Sequence, residues 1–302
     1  MSKPVLVTGA STGIGRAIVE RLAAAGLPVY ATARKPDDLA GLDAIPDVMA
    51  LPLDVRDPAS VVALAETIRT AGRGLYAVVN NAGLGGIGPV ASFTDEAVRD
   101  LFEVNVFGVF RLTRACLPLI LESHGRVIVI GSQGGSVSMR WYAPYTMTKH
   151  AMEAFTKALD DEIRPHGARA LIVQPGAVST AIGDNSETGD RERFRSAPPP
   201  FDVDAAAILK GFDEPSVFDP TQPESAGNRR HSPPDDVARV VESLLTDPDP
   251  PLRSLVGTRW EGNRVITTLI DRLVEANACP SLGYSADELA AKVRERMARG
   301  RP

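Results

Sequence analysis

The sequence predicts an α/β fold, a doubly wound parallel sheet with helices on both faces. Three observations carry this. Short unbroken apolar runs such as Val5-Leu6-Val7 and Val127-Ile128-Val129-Ile130 read as strands buried on both sides. They alternate with stretches whose apolar residues recur three and four apart, as Ala17, Ile18, Leu22 and Ala25 do. The first run also feeds a glycine-rich turn, residues 8–15, that opens directly into a helix. Strands and helices in that rhythm pack as a parallel sheet with right-handed crossovers.

In order, the first helix after the glycine turn ends at Gly26, and Pro28-Val29-Tyr30-Ala31-Thr32 gives a second strand. Residues 48–53 form a third strand closing on Asp54-Val55, and a helix follows from Pro58 to Ala71. Residues 75–79 form a fourth strand that runs into Asn80-Asn81-Ala82-Gly83. Gly83-Leu84-Gly85-Gly86-Ile87-Gly88 matches a dinucleotide-binding spacing, but Pro89 follows and no helix opens, so it reads as a loop. Residues 95–121 read as one long helix with Leu101, Leu112 and Leu117 on its apolar face and the polar Asn105 inside that face. Residues 126–130 and 168–173 give the next strands.

Residues 181–232 break the rhythm. They are rich in Pro, Asp, Ser and Gly, with isolated Phe194, Phe201, Phe212 and Phe218, which suits a lid over a substrate or a partly disordered segment. A helix from Pro234 to Leu245, capped by Ser232 or by Asp235 and Asp236, precedes a last short strand at residues 255–257. The tail reads as two amphipathic helices broken near Pro280-Ser281-Leu282-Gly283. The expected organisation is one domain: a core over residues 4–180, an insertion at 181–232 and a helical extension at 260–302.

Composition narrows the class. A chain of 302 residues can bury a large core, and a formal net charge of −5 without a basic block argues against a nucleic-acid partner. The cluster Lys292, Arg294, Arg296, Arg299 and Arg301 is diluted by acids and reads as a solvated helix face. Two cysteines and four scattered histidines define neither a disulfide framework nor a metal site. No signal-like segment and no apolar run of membrane length is evident, so the expectation is a soluble, cytoplasmic protein.

The chemistry concentrates in two places. In the turn Thr8-Gly9-Ala10-Ser11-Thr12-Gly13-Ile14-Gly15, glycines let the backbone approach a pyrophosphate while the first free N–H groups of the helix face it. After the second strand, where a ribose 2′-hydroxyl would call for an acid, stand Ala33-Arg34-Lys35. Arg34 suits a 2′-phosphate, pointing to NADP(H) over NAD(H). The second place is residues 131–149. Tyr145 and Lys149 share a helix face at i and i+4, and an ammonium one turn from a phenol favours its phenolate. Ser132 ends a strand nearby, where open α/β sheets hold ligands. A buried Asn105 must satisfy its amide, either through backbone or by holding a water or a helix kink.

Together these motifs resemble the short-chain dehydrogenase/reductase family over roughly residues 4 to 260. Gly9-x-x-x-Gly13-x-Gly15 is similar to its cofactor turn, Asn80-Asn81-Ala82-Gly83 to its sheet-stabilising motif, and Asn105, Ser132, Tyr145 and Lys149 to its catalytic tetrad. The resemblance implies a Rossmann fold in which Gly9, Ser11, Thr12, Gly13, Ile14 and Gly15 hold the pyrophosphate. It implies Asp54 and Val55 beside the adenine, and Asn81, Ala82 and Gly83 along the floor. Tyr145 and Lys149 would hold the ribose, and Pro175, Gly176, Val178 and Thr180 the nicotinamide. It further implies a dimer or tetramer built on residues 95–121 and 145–163. Gly131 departs from the family's commoner serine, and the insertion and tail are longer than in a minimal member. The implied activity is reversible NADPH-dependent reduction of a ketone or aldehyde on a fairly hydrophobic molecule. Alcohol oxidation and a non-catalytic cofactor-binding regulator are the alternatives, and Gly9-x-x-x-Gly13-x-Gly15 argues against a sugar-nucleotide epimerase.

Overall fold

The computed structural model describes residues 3–180, 182–213, 217–279 and 281–299. Its strands are β1 (Val5–Val7), β2 (Val29–Ala33), β3 (Val48–Pro52), β4 (Ala77–Asn80), β5 (Arg126–Ile130), β6 (Arg169–Pro175) and β7 (Arg253–Val256). They form one sheet in the order β3-β2-β1-β4-β5-β6-β7, every pair parallel. The order reverses between β1 and β4, which opens a crevice beyond their carboxyl ends.

The helices are α1 (Gly13–Ala24), α2 (Pro36–Asp43), α3 (Pro58–Thr70), α4 (Asp95–Phe102), α5 (Val109–Glu122) and α6 (Ala143–Ile163), followed by α7 (Ile182–Arg195), α8 (Asp202–Asp213), α9 (Pro234–Thr246), α10 (Arg259–Asn277) and α11 (Ala286–Ala298). Side chains alternate across each strand, so the two faces bury two cores. Val5, Val7, Ile128 and Ile130 meet Ile18 and Leu22 of α1 and Val241 and Leu244 of α9. Leu6, Val127 and Val129 meet Leu64 of α3, Leu112 and Cys116 of α5, and Met152 and Leu159 of α6. Two-sided burial is why these strands are continuously apolar.

The long helix expected over residues 95–121 is interrupted. Glu103–Gly108 winds as a π-helix between α4 and α5, a local widening common beside functional sites. By length and composition residues 95–122 could cross a membrane, but Leu112, Thr113, Cys116 and Ile120 are buried in the core, as a core helix requires. The insertion also differs from a bare loop. It folds into α7 and α8, with Phe194 buried against Trp141 (ring centroids 5.9 Å) and beside Phe212 (6.1 Å). Dispersed aromatics do not advertise a helix period, and these two helices are shaped by packing.

Smaller departures have local causes. Ser232 does not cap α9: its N–H donates to Ala177 O (2.8 Å), its carbonyl accepts from Ser179 N (3.0 Å), and Pro233 takes the cap position. The α2 helix was not anticipated; it starts at Pro36 with Asp37 and Asp38 in its first turn. The tail helices stand as expected, though α10 begins at Arg259; Pro280 and Arg301 lie outside the described residues.

Two buried carboxylates pin the sheet's far side. Asp160 in α6 accepts from Arg169 Nε (2.9 Å), Arg164 Nη2 (2.5 Å) and Ala170 N (2.9 Å). Burial pushes its carboxyl up, yet the hydrogen bonds from Arg169, Arg164 and Ala170 prevail and hold it below the usual range. Glu261, fully buried at the start of α10, accepts from Ala177 N (2.8 Å), Thr258 N (3.1 Å) and Arg229 Nε (2.9 Å). With Thr258 it makes a capping box. A β-carbon on Gly176 or Gly257 would fall 2.1 or 2.2 Å from its Oε2, so both positions need glycine.

Candidate active site

At the carboxyl ends of β1, β2 and β4 lies a groove of about 380 Å3. Its floor is the glycine turn. Gly9 and Gly13 have φ of 61° and 56°, and a β-carbon on Gly15 would sit 2.2 Å from Gly9 O. Asn81 locks the turn, donating from Nδ2 to Thr8 O (2.9 Å) and Gly9 O (3.0 Å), while Thr8 Oγ1 accepts from Asn81 N (3.0 Å) and Ala82 N (2.9 Å). The first turn of α1 carries no capping side chain and no acid. Its N–H groups and positive dipole end are thus left for an anion. A glycine cradle of this shape fits a dinucleotide pyrophosphate.

Gly9, Ser11, Thr12, Gly13, Ile14, Arg34, Asp54, Val55, Asn81, Ala82, Gly83, Tyr145, Lys149, Pro175, Gly176, Val178 and Thr180 all line this groove. Gly15 lies beneath it, against Gly9 and Asn81. Arg34 is exposed at the end of β2, near enough to Asp54 to help hold its carboxyl below the usual range, although Arg56, bonded at 2.7 Å, is the main cause. Lys35 shares the rim, and so do Asp38 and Arg56, for which the sequence suggested no role in the site. Their approach depends on how β2 and β3 end side by side.

Ser132, Tyr145 and Lys149 meet above β4 and β5. Ser132 starts a 3-10 turn, its Oγ accepts from Gly134 N (3.0 Å), and its hydroxyl hydrogen-bonds the Tyr145 phenol. Lys149 Nζ lies 5.6 Å from the Tyr145 ring centroid and donates to Ile130 O (3.1 Å). The electrostatics depart from the simple phenolate expectation. Burial pushes the Tyr145 phenol up, with the Ser132 hydroxyl pulling the other way, and burial brings Lys149 down to about 8. Desolvation disfavours both charged forms, so the ammonium does not dominate the phenol here.

Asn105 occupies the π segment and is almost fully buried. Its Oδ1 accepts from Leu84 N (2.8 Å), and its Nδ2 donates to Leu84 O (2.9 Å) and Thr148 Oγ1 (3.1 Å). A β-carbon on Gly83 would lie 3.3 Å from Asn105 Oδ1 and 4.0 Å from Lys149 Nζ. Asn105 thus ties the 83–88 loop to α6 beside Lys149. Of the two readings of this residue, the backbone bond and the altered helix are both present.

A second, larger cavity of about 1130 Å3 lies on the other side of Ser132 and Tyr145, which line both spaces together with residues 175, 176, 178 and 180. Val137, Met139, Tyr142 and Phe212 give it apolar walls, and α7 contributes Asp190 and Glu187. Asp190 accepts from Ile87 N (3.0 Å) and pairs with Arg193, whose Nε donates to Ile87 O (2.8 Å). Trp141 holds a left-handed φ of 72°, costly for a bulky residue, with its carbonyl bonded to Gly88 N (2.8 Å) and its ring against Phe194 and Phe201. The loop, α7 and the start of α6 are therefore fastened together.

Residues 3–191 match the family model described as short chain dehydrogenase. The chain belongs to the short-chain dehydrogenase family. A protein of Streptomyces virginiae named as a ketoacyl reductase of the monensin polyketide synthase is 34% identical over 82% of this chain and 91% of its own. A short-chain dehydrogenase structure from Streptomyces avermitilis superposes with a TM-score of 0.74 at 31% identity, covering 91% of this chain and 95% of that one. A structure of the actinorhodin polyketide ketoreductase with NADPH gives 0.67 at 30%, covering 84% and 95%. As a short-chain dehydrogenase, this protein is an oxidoreductase of carbonyl and CH–OH groups that takes a nicotinamide cofactor.

What the sequence did not reveal in this short-chain dehydrogenase are Glu261, Arg229 and Arg264, which come from α10 and the segment before α9. Arg229 and Arg264 line the large cavity, and Glu261 braces residues 175–177 from behind. The capping box Thr258-x-x-Glu261 was the available signal, and it announces a helix start, not a site.

Proposed function

We propose that the protein reduces a ketone or aldehyde on a fairly hydrophobic small molecule, using NADPH, with Tyr145 as proton donor. The observation that carries this is the shared wall: Ser132 and Tyr145 line both the dinucleotide-shaped groove and the apolar cavity. A group held in each space would meet across the same two hydroxyls. When bound, the reduced nicotinamide supplies a hydride to the carbonyl carbon. Ser132 and Tyr145 would hydrogen-bond the carbonyl oxygen, and Tyr145 would hand it a proton as negative charge develops. A phenol kept protonated by burial suits that direction. Lys149 would bind the ribose hydroxyls, and Asn105 would keep the 83–88 loop in place and support a water beside Lys149.

NADP(H) is favoured by Arg34 and Lys35 at the end of β2, and the actinorhodin ketoreductase structure holds NADPH. Helices α7 and α8 would serve as the substrate-binding segment and α10 with α11 as an extension of the same domain. A homodimer or homotetramer would use α4 to α6, where Phe107, Phe110 and Met147 are exposed.

Fluorescence titration tests the cofactor assignment. Wild type is expected to prefer NADPH over NADH, and Arg34→Ala to weaken NADPH binding by about ten- to one-hundred-fold, the worth of charge-assisted bonds to one phosphate. NADH binding should scarcely move, and equal loss for both cofactors would refute the 2′-phosphate contact.

A pH profile tests Lys149. Its ammonium is present below about pH 8 and lost above it, because burial has brought its pKa down. The kcat/KM for carbonyl reduction is expected to be flat up to that region and then fall, with the fall absent in Lys149→Met at its lower overall rate. A descending limb that stays near pH 10 in the wild type would contradict the assignment.

A further inference from the structure

The large cavity is lined by several charged side chains, and almost all are already neutralised. Arg16 pairs with Glu20 (2.6 Å), Glu187 with Arg191 (2.6 Å), Asp235 with Arg21 (2.8 Å), Asp190 with Arg193 and Arg229 with Glu261. Arg264 is different. Among the described residues no acid and no hydrogen-bond acceptor engages its guanidinium, although the side chain is half-buried on the inner side of α10. It is held in position by stacking, with Cζ 4.9 Å from the centroid of the Trp260 ring, and Arg229 sits over the same ring at 6.0 Å.

The position of Arg264 relative to the chemistry is also defined. The Tyr142 ring lies 6.5 Å from the Tyr145 ring, and both face the cavity. Arg229 and Arg264 each lie close enough to Tyr142 to favour its phenolate against the burial that pushes it up. Ser132, Tyr145, Tyr142 and Arg264 thus line one cavity, whose walls also include Val137, Met139 and Phe212.

We propose that Arg264 binds an anionic group, a carboxylate or a phosphate, carried by the carbonyl substrate away from its reacting carbon. This rests on the reductase reading above and names its substrate class. The guanidinium offers five N–H donors in a planar fork that matches either oxyanion. Its partial burial strengthens the pairing relative to open solvent. Among the described residues of the cavity wall no carboxylate opposes it, since each one there is matched by its own arginine. The apolar walls take the stem between anion and carbonyl, so the substrate is amphipathic and longer than the smallest oxo acids.

The test uses the full chain with NADPH and a homologous series of linear oxo-carboxylates, each beside its methyl ester, together with matching oxoalkyl phosphates. The expected result is an optimum chain length at which one anion is reduced with kcat/KM at least about ten-fold above the neutral ester. Which series shows that optimum separates carboxylate from phosphate. In Arg264→Gln, KM for the anion should rise about ten- to one-hundred-fold more than KM for the ester, with Arg264→Lys recovering part of the loss. Esters and anions reduced alike by wild type, or Arg264→Gln acting on both alike, would overturn the anion site while leaving the reductase intact. A calorimetric arm uses saturated carboxylates and alkyl phosphates that lack the carbonyl. Arg264-dependent binding without turnover of any carbonyl would uphold the anion site and sink the reductase reading, and neither binding nor turnover would sink both.

Discussion

Tyr145→Phe is expected to lower kcat for carbonyl reduction by about 10²- to 10⁴-fold, the usual worth of a positioned general acid, with a far smaller loss of NADPH binding. The substitution deletes only the hydroxyl. The ring keeps its place beside Tyr142 and beneath Lys149, because α6 is anchored by the buried Met152 and Leu159 and by the Asp160 cluster. Ser132→Ala should cost about 10²- to 10³-fold, as the loss of one donor to a developing oxyanion does. The double variant should fall little further, since both hydroxyls act on one oxygen. Stopped-flow measurement of NADPH oxidation with saturating substrate reads the chemical step. Near-normal turnover by Tyr145→Phe would mean that another group supplies the proton, and the reading of the shared wall would fail.

Glu261→Ala should destabilise the fold by about 3–5 kcal/mol, the range for removing one partner from a buried pair. The carboxylate is fully buried and satisfies Ala177 N, Thr258 N and Arg229 together. Alanine would leave two backbone donors and a half-buried guanidinium without an acceptor, in a space that Gly176 and Gly257 have been kept small to make. Because residues 175 and 176 line both the groove and the cavity, cofactor affinity should fall as well. Urea unfolding followed by circular dichroism measures the first effect and NADPH titration the second. Glu261→Gln keeps one oxygen and should lie between the two. A Glu261→Ala protein as stable as wild type would show that water replaces the carboxylate at no cost.

The site was legible in the sequence to the extent that its residues sit in local motifs. The glycine turn, the Asn81 loop, Ser132 and the Tyr145–Lys149 pair each act within one turn or one strand end, so spacing together with the family resemblance placed them. The pair's electrostatics were not legible, because burial from several elements acts on Tyr145 and Lys149 more strongly than they act on each other. The interruption of the 95–122 helix was hidden too. Residues 103–108 keep good helical spacing, and the π geometry there accompanies the hydrogen bonds of Asn105 to Leu84 and Thr148.

By itself, then, the sequence determined the parallel sheet, the chain order of its strands and of the helices α1, α3, α6 and α9, the glycine turn and the identity of the polar groups at its edge. Periodicity and turn chemistry are local properties, and chain order carries them. Only the tertiary structure decided what surrounds those groups: that Ile182–Arg195 and Asp202–Asp213 fold into helices, the first of them packed on Trp141, that Glu261 braces the segment after β6, and that Arg264 lines the cavity without a counterion among the described residues. Those facts depend on which distant segments come to lie together. A residue's partner across the fold is set by packing, and packing has no period to read along the chain.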